Sequence, residues 1–194
     1  MPKLNTTTSG IITATLTADS SPTLDLQQNG VTIRTLGESQ LVMGTAQSTA
    51  TGATAYDFSG IPSWAKRITV MINGVSLSGT STLRFRLGTG GTPTTSGYLG
   101  TAVNPGSSPI SQSFTAGFDM YGALTAATAA YGAIVFTLIG SNAWSGSGNI
   151  GTSLPGFNSI AGTVSLSGAL DFVRITTVNG TDTFDAGSVN IMWE

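Results

Sequence analysis

Side chains that usually carry out catalysis are scarce in this sequence. It contains no histidine and no cysteine, which removes the commonest general base and the Ser-His and Cys-His nucleophile pairs. The chemistry that remains is that of two carboxylates, as in glycoside hydrolysis. The acids are Asp19, Asp25, Glu38, Asp57, Asp119, Asp171, Asp182, Asp185 and Glu194. Most stand at turns or strand edges, where Asp caps the backbone. We therefore predict no catalytic residues, no cofactor and no enzymatic activity, and a polysaccharide-degrading enzyme is the weaker alternative.

Two aspartates near the end of the chain could ligate a cation. Asp182 and Asp185 lie in the stretch NGTDTFDAG, residues 179–187, and hard cations take oxygen ligands. The stretch lacks the spacing of a known calcium loop. A hairpin whose turns are capped by the two aspartates is therefore the favoured interpretation.

Two glycine-rich stretches look superficially like phosphate-binding loops. They are GTGGTPTTSG (residues 88–97) and GSNAWSGSGNIG (residues 140–151). A phosphate loop needs a helix after it and often a lysine. Neither stretch has these features, so both are predicted to be long surface loops. Tyr98 and Trp144 are the loop aromatics that we select for stacking on a receptor glycan. The alternative is that both rings belong to the core or to a subunit interface.

Four cations form the candidate basic patch or subunit contact. They are Lys66, Arg67, Arg84 and Arg86. If the segments 66–72 and 83–88 pair as a hairpin, these cations lie on adjacent strands. They could then bind Asp57 or another acid across a subunit contact. The alternative is that they serve the strands themselves, since charge at a strand start discourages edge pairing.

The composition predicts an all-β protein. Only 8% of the residues are charged, against about 25% in ordinary soluble domains. The 26 glycines and the short apolar runs fit turns and strands. The net charge of −2 argues against nucleic-acid binding. No apolar run reaches the roughly 18 residues of a spanning helix, so no membrane insertion is expected. The N-terminal residues lack the apolar region of a secretory signal.

The composition and the apolar–polar pattern of the sequence divide it into three parts. Residues 1–44 are predicted to form a short, extended, β-rich attachment and trimerisation region, with a tight hairpin turn at Asn29-Gly30. Residues 45–54 are expected to be a linker. Residues 55–194 are predicted to fold as an antiparallel β-sandwich of jelly-roll type, because short strands recur between turn signals. The N-terminal strands are too short and too polar to bury a core alone, so they need partners from other copies of the chain or from a binding surface.

Alternation of apolar and polar residues defines the strands of the predicted sandwich. The residues expected to face its core in the first two clear strands are Ile68, Val70, Ile72, Leu83, Phe85 and Leu87. Arg84 and Arg86 are then expected to face outward. No helix is predicted, although the stretch from 119 to 132 has room for a turn or two.

Three stretches of the chain resemble a known family. They are SSPTLDLQQNGVTIRTLGESQLVMG (residues 20–44), YDFSGIPSWAKRITVMINGVSLSGTSTLRFRLG (residues 56–88) and FDAGSVNIMWE (residues 184–194). These stretches are similar to segments of tailed-bacteriophage tail-fibre and related virion appendage proteins. The middle of the chain carries no such resemblance.

The resemblance implies a virion structural protein that is made in the host cytoplasm and assembles as a homotrimer. It implies that the N-terminal region attaches to other capsid or tail proteins and that the β-sandwich projects outward, where it could contact a host surface glycan. The short N-terminal region fits a short tail fibre, a head fibre or a capsid decoration. A carbohydrate-binding module that uses loop aromatics is the alternative function.

Overall fold

The fold is given by a computed structural model that describes residues 24–28, 31–36, 41–105, 109–154 and 156–194. The chain divides into two units, Met1–Glu38 and Ser39–Glu194. In chain order the strands are β1 (Leu24–Gln28), β2 (Val31–Leu36), β3 (Val42–Met43), β4 (Gln47–Ser48), β5 (Ala55–Ser59), β6 (Arg67–Leu77), β7 (Leu83–Thr89), β8 (Thr92–Pro93), β9 (Leu99–Asn104), β10 (Ile110–Phe114), β11 (Phe118–Asp119), β12 (Ala130–Gly140), β13 (Ala143–Thr152), β14 (Phe157–Ser165), β15 (Phe172–Thr177) and β16 (Phe184–Trp193).

The first unit contains an antiparallel hairpin. β1 pairs with β2, and Gln28 is the partner of Val31, which leaves two residues for the connection, as in a tight hairpin. This register confirms the predicted hairpin. The conformation of Asn29 and Gly30 themselves lies outside the described residues, as does the rest of the predicted attachment region in 1–23 and 37–40.

The second unit consists of two antiparallel sheets. The large sheet has the strand order β10-β9-β14-β13-β12-β6-β16-β3, with β4 also paired to β16. The small sheet has the order β11-β7-β15-β5, with β8 paired to β7. This arrangement confirms the all-β prediction and is consistent with the predicted β-sandwich. The assignment to the jelly-roll type stays a prediction.

Aromatic and aliphatic side chains from both sheets form one core. Phe118 of the small sheet lies against Phe136 of the large sheet, with ring centroids 5.0 Å apart. Tyr56 meets the ring of Phe184 edge-on at 5.1 Å. Such pairs add to the free energy gained by burying their apolar surface.

The predicted faces of β6 and β7 are confirmed, but their predicted pairing is wrong. The residues expected to face the core, three on each strand, are all buried, and the two arginines of β7 face outward. The strands lie in different sheets, because the chain crosses from one sheet to the other between Leu77 and Leu83. Each strand has one apolar face, and the two faces meet across the core instead of lying side by side.

Several stretches that were expected to be irregular are strands. Residues 143–152, in the second predicted loop, form β13, which β12 reaches through a turn at Ser141 (φ 48°) and Asn142 (φ 63°). The first predicted loop contains β8, which folds back on β7. The stretch from 119 to 132, which had room for a turn or two of helix, contains none.

Residues 45–54, which were expected to be a linker, run along the edge of the large sheet. Within them β4 pairs with β16. The Thr49 side chain is buried, and its backbone N–H donates a hydrogen bond to Gly187 O at 2.9 Å. The small polar side chains of this stretch are typical of a linker, which is why the sequence predicted one. Its backbone nevertheless pairs with the sheet.

Candidate functional site

The two aromatic residues selected from the sequence lie in the core. Tyr98 is fully buried, and its hydroxyl accepts a hydrogen bond from Leu87 N (3.0 Å) and lies 3.1 Å from Leu87 O and Thr94 O. Burial raises the pKa of Tyr98 to about 12. Trp144 is 2% exposed. Neither ring presents a face to solvent, so the predicted sugar stacking on Tyr98 and Trp144 is wrong. Both rings belong to the core, which was the alternative interpretation.

The predicted cations do not form one patch. Lys66 and Arg67 lie at the start of β6 in the large sheet, whereas Arg84 and Arg86 lie on β7 in the small sheet. Lys66 Nζ donates to Ser63 O at 3.1 Å. Arg67 Nη2 lies 2.5 Å from a carboxylate oxygen of Glu194. The crossing of the chain between the two sheets separates the two pairs.

Among the described residues, the outward face of the small sheet carries two of the three ion pairs. Arg84 makes a two-point contact with Asp119, with Nε to Oδ1 at 2.6 Å and Nη2 to Oδ2 at 2.7 Å. This hydrogen bonding raises the pKa of Arg84. Arg174 binds Asp57 in the same way, with both distances at 2.6 Å. Arg174 was missed by the sequence reasoning, although alternation in the segment around it places it on the polar face.

Arg86 lies beside these two ion pairs and donates through Nε to Ala116 O at 2.8 Å. Burial and the nearby charges of Arg84 and Arg174 lower the pKa of Arg86. Asp57, the acid that was expected to meet a cation across a subunit contact, is bound within its own chain instead.

The two candidate cation ligands are used within the fold. Asp182 Oδ2 accepts a hydrogen bond from Ser81 N at 2.8 Å. Asp185 Oδ1 accepts a hydrogen bond from the hydroxyl of Ser76. In the part of the chain that the structure describes, no three Asp, Glu, His or Cys side chains gather where they could hold a metal ion. The predicted hairpin over residues 179–187 is wrong, because β15 lies in the small sheet and β16 in the large sheet. Asp182 accepts from a backbone N–H, as expected of a capping residue, whereas Asp185 lies within β16 and binds a side chain.

The outward side of the large sheet forms a broad surface, called here the outer face. Its residues follow from the register of eight strands and β4, in four rows across the sheet. The first row is Arg67, Thr137, Ser145, Thr163 and Leu99, and the second is Met43, Met192, Thr69, Val135, Ser147, Ala161, Thr101 and Ser113. The third row is Asn190, Met71, Ala133, Asn149, Ser159, Val103 and Ser111, and the fourth is Ser48, Ser188, Asn73, Tyr131, Gly151 and Phe157. Of these residues, Arg67 alone is charged. The outer face is therefore a neutral surface rich in hydroxyl, amide and small apolar groups.

The fourth row places two aromatic side chains on the outer face. Tyr131 on β12 is 45% exposed and Phe157 on β14 is 48% exposed, and both pair with Gly151 on β13 between them. Sequence reasoning missed Tyr131 because it interpreted residues 126–140 only as an apolar run, and it identified no strand around Phe157. Alternation in that run, with Ile134 and Phe136 inward, is the signal that could have placed Tyr131 outward.

Within the described residues there is no helix of the length and apolarity needed to cross a membrane. In comparisons with protein-family models, with curated proteins and with solved structures, nothing matches this chain.

Proposed function

We propose that the protein is a structural component of a phage virion, a homotrimeric tail-fibre-like or capsid-surface appendage without enzymatic activity. The observation that carries this proposal is the division of the chain into a small unit, Met1–Glu38, and a sandwich, Ser39–Glu194. The resemblance of residues 20–44, 56–88 and 184–194 to virion appendage proteins supports the same function.

The small unit is assigned to attachment and trimerisation. Its described part is a single hairpin of β1 and β2, and an isolated two-stranded hairpin is marginal in water. Pairing with other copies of the chain or with another virion protein would supply the partners that such a hairpin needs. The charge-poor composition suits this role, because a three-fold axis brings identical side chains close together.

The sandwich is assigned to outward display. It has its own core between two sheets, so it can hold a surface rigidly without help from the small unit. The outer face offers a broad surface on which Arg67 is the one charged residue among the described rows.

The assembly test compares the full chain with the chain lacking residues 1–38, by native mass spectrometry at micromolar concentration. The full chain is expected to be trimeric and the shortened chain monomeric. A monomeric full chain would contradict the proposed trimer. A shortened chain that stays trimeric would contradict the assignment of trimerisation to the small unit.

The location test uses purified virions. Peptides of this chain are expected in them at a fixed ratio to the major capsid protein, and an antibody against the sandwich is expected to label the tail or the capsid in negative stain. Absence of the peptides from particles made by cells that express the protein would refute the virion role.

A further inference from the structure

We propose that Tyr131, Gly151 and Phe157 form a binding platform for a neutral, extended polysaccharide. This inference concerns a ligand of the sandwich, and it stands independently of the attachment role assigned to the small unit. It uses a different set of residues from the buried Tyr98 and Trp144.

The spacing of the two backbone positions that carry the rings fits a sugar chain lying across the strands. β12 and β14 are separated only by β13, so the backbones that carry the rings are about 10 Å apart. Every second pyranose of an extended β-1,4-linked chain presents its apolar face in the same direction at a similar repeat. Gly151 leaves open space between the rings, because the nearest atom to a Cβ built on it would be Tyr131 O at 3.9 Å. One sugar could therefore lie over each ring and another over the glycine.

A pair of β-bulges positions Tyr131. The register between β12 and β6 skips Gly74, which has φ 67°, and the register between β16 and β6 is shifted beside Gly187, which has φ 94°. A Cβ on Gly187 would lie 2.4 Å from Gly74 O, and a Cβ on Gly74 would lie 3.8 Å from Tyr131 Cε1. The edge of the Tyr131 ring thus lies near Gly74 of β6, and the backbone beside it leaves no room for a side chain at position 187. Bulges often re-aim a side chain next to a binding site in this way.

The neighbours of the two rings can hydrogen-bond to sugar hydroxyls without contributing charge. Asn73 lies beside Tyr131 in the same row, and Asn149 and Ser159 lie in the next row; all three are exposed. An acidic ligand would need cations, but Arg67 lies in the row at the other end of the outer face and binds Glu194. The surface therefore favours a neutral ligand. A protein partner would be expected to require a continuous apolar centre, whereas this row has a glycine gap at its middle.

The test is affinity electrophoresis of the full chain in gels that contain hydroxyethylcellulose or galactomannan, with dextran and the acidic polymer alginate as specificity controls. At least one of the two β-linked neutral polymers is expected to retard the chain, and salt at about 0.5 M is expected not to abolish the effect. Tyr131→Ala and Phe157→Ala should each weaken binding several-fold to about tenfold, in line with the free energy of one aromatic stacking contact. Tyr131→Phe should keep most of the binding.

Leu99→Ala is the matched control, since Leu99 is 70% exposed and lies on the same face in the first row. Its binding should equal that of the unsubstituted chain, and all variants should melt at the same temperature. Saturation-transfer-difference NMR with a β-1,4-linked hexasaccharide gives a second readout that needs no variant, and aromatic irradiation should transfer to the sugar ring protons.

Three results would overturn the proposal. The first is no retardation by either neutral polymer together with no transfer to the hexasaccharide. The second is retardation by alginate or dextran alone. The third is a change of oligomeric state, without loss of polysaccharide binding, in Tyr131→Ala and Phe157→Ala, which would make the row a contact between copies of the chain. An unchanged oligomeric state together with the loss of binding supports it.

Discussion

At the scale of single residues, the few charged side chains that the structure describes are used mainly within the chain. The Arg84–Asp119 pair and the Arg174–Asp57 pair have the same two-point geometry but differ in exposure. The side chains of the first pair are 13% and 7% exposed, and those of the second are 31% and 39% exposed. Because the two pairs share one hydrogen-bond geometry and differ in burial, a comparison of them separates the effect of desolvation on stability from that of hydrogen bonding.

Asp119→Asn should destabilise the sandwich far more than Asp57→Asn. The first change leaves the Arg84 charge largely buried without its carboxylate, and removing one partner of a buried pair costs about 3 kcal/mol. The second change affects a pair in contact with water, for which a loss below about 1 kcal/mol is expected. Urea denaturation of both variants and the unsubstituted chain gives the two free energies of unfolding. Equal losses would show that burial does not set the contribution of these pairs.

At the scale of elements, β13 shows how a glycine-rich strand can pack into the core with one face and contribute to the outer face with the other. Trp144, Gly146, Gly148 and Ile150 alternate with small polar residues that lie on the outer face. Gly146 is buried beneath the rings of Phe118 and Phe136, where a Cβ would lie 2.7 Å and 2.6 Å from their nearest atoms. The glycine therefore makes room for the aromatic contact between the two sheets.

Gly146→Ala is expected to destabilise the protein, whereas Gly151→Ala in the same strand is not. The methyl group at 146 would overpack the core, which typically costs about 1–3 kcal/mol. The methyl group at 151 would enter open space on the outer face, and a change within about 0.5 kcal/mol is expected for such a surface site. Thermal and urea unfolding of both variants measures the difference. An unchanged free energy of unfolding for Gly146→Ala would mean that the Phe118 and Phe136 rings can move apart at little cost.

Strands with clean alternation could be predicted from the sequence, and strands built around glycine could not. β6 and β7 were assigned their correct faces because Ile, Val, Leu and Phe recur at every second position. β13 was interpreted as a loop, because glycine is locally typical of turns. The reason for a glycine at position 146 is the room that it leaves for the ring of Phe136, which belongs to another strand. The same dependence on distant partners hid the platform of Tyr131 and Phe157, which are 26 positions apart along the chain and meet only through the register of three strands.

At the scale of the whole molecule, the last strand lies inside the large sheet. β16 is paired with β6 on one side and with β3 and β4 on the other. Its Val189 and Ile191 side chains are each 1% exposed. The backbone N–H groups of Lys66 and Arg67 donate to Glu194 O at 2.7 and 2.9 Å. The sandwich therefore cannot complete its core until this strand is in place.

Removal of residues 189–194 should abolish cooperative folding of the sandwich, whereas removal of residues 1–38 should leave it folded. The first truncation uncovers the core beside Val70 and Ile72 and leaves residues 68–72 of β6 unpaired along one side, whereas the second removes a separate unit. Circular dichroism melts of the two shortened chains are the measurement. The chain lacking 1–38 should show one sharp transition and the chain lacking 189–194 none. If the chain lacking 189–194 melted as sharply as the other, the core would be held by β6, β12 and the small sheet alone, and β16 would be an accessory strand in spite of its burial.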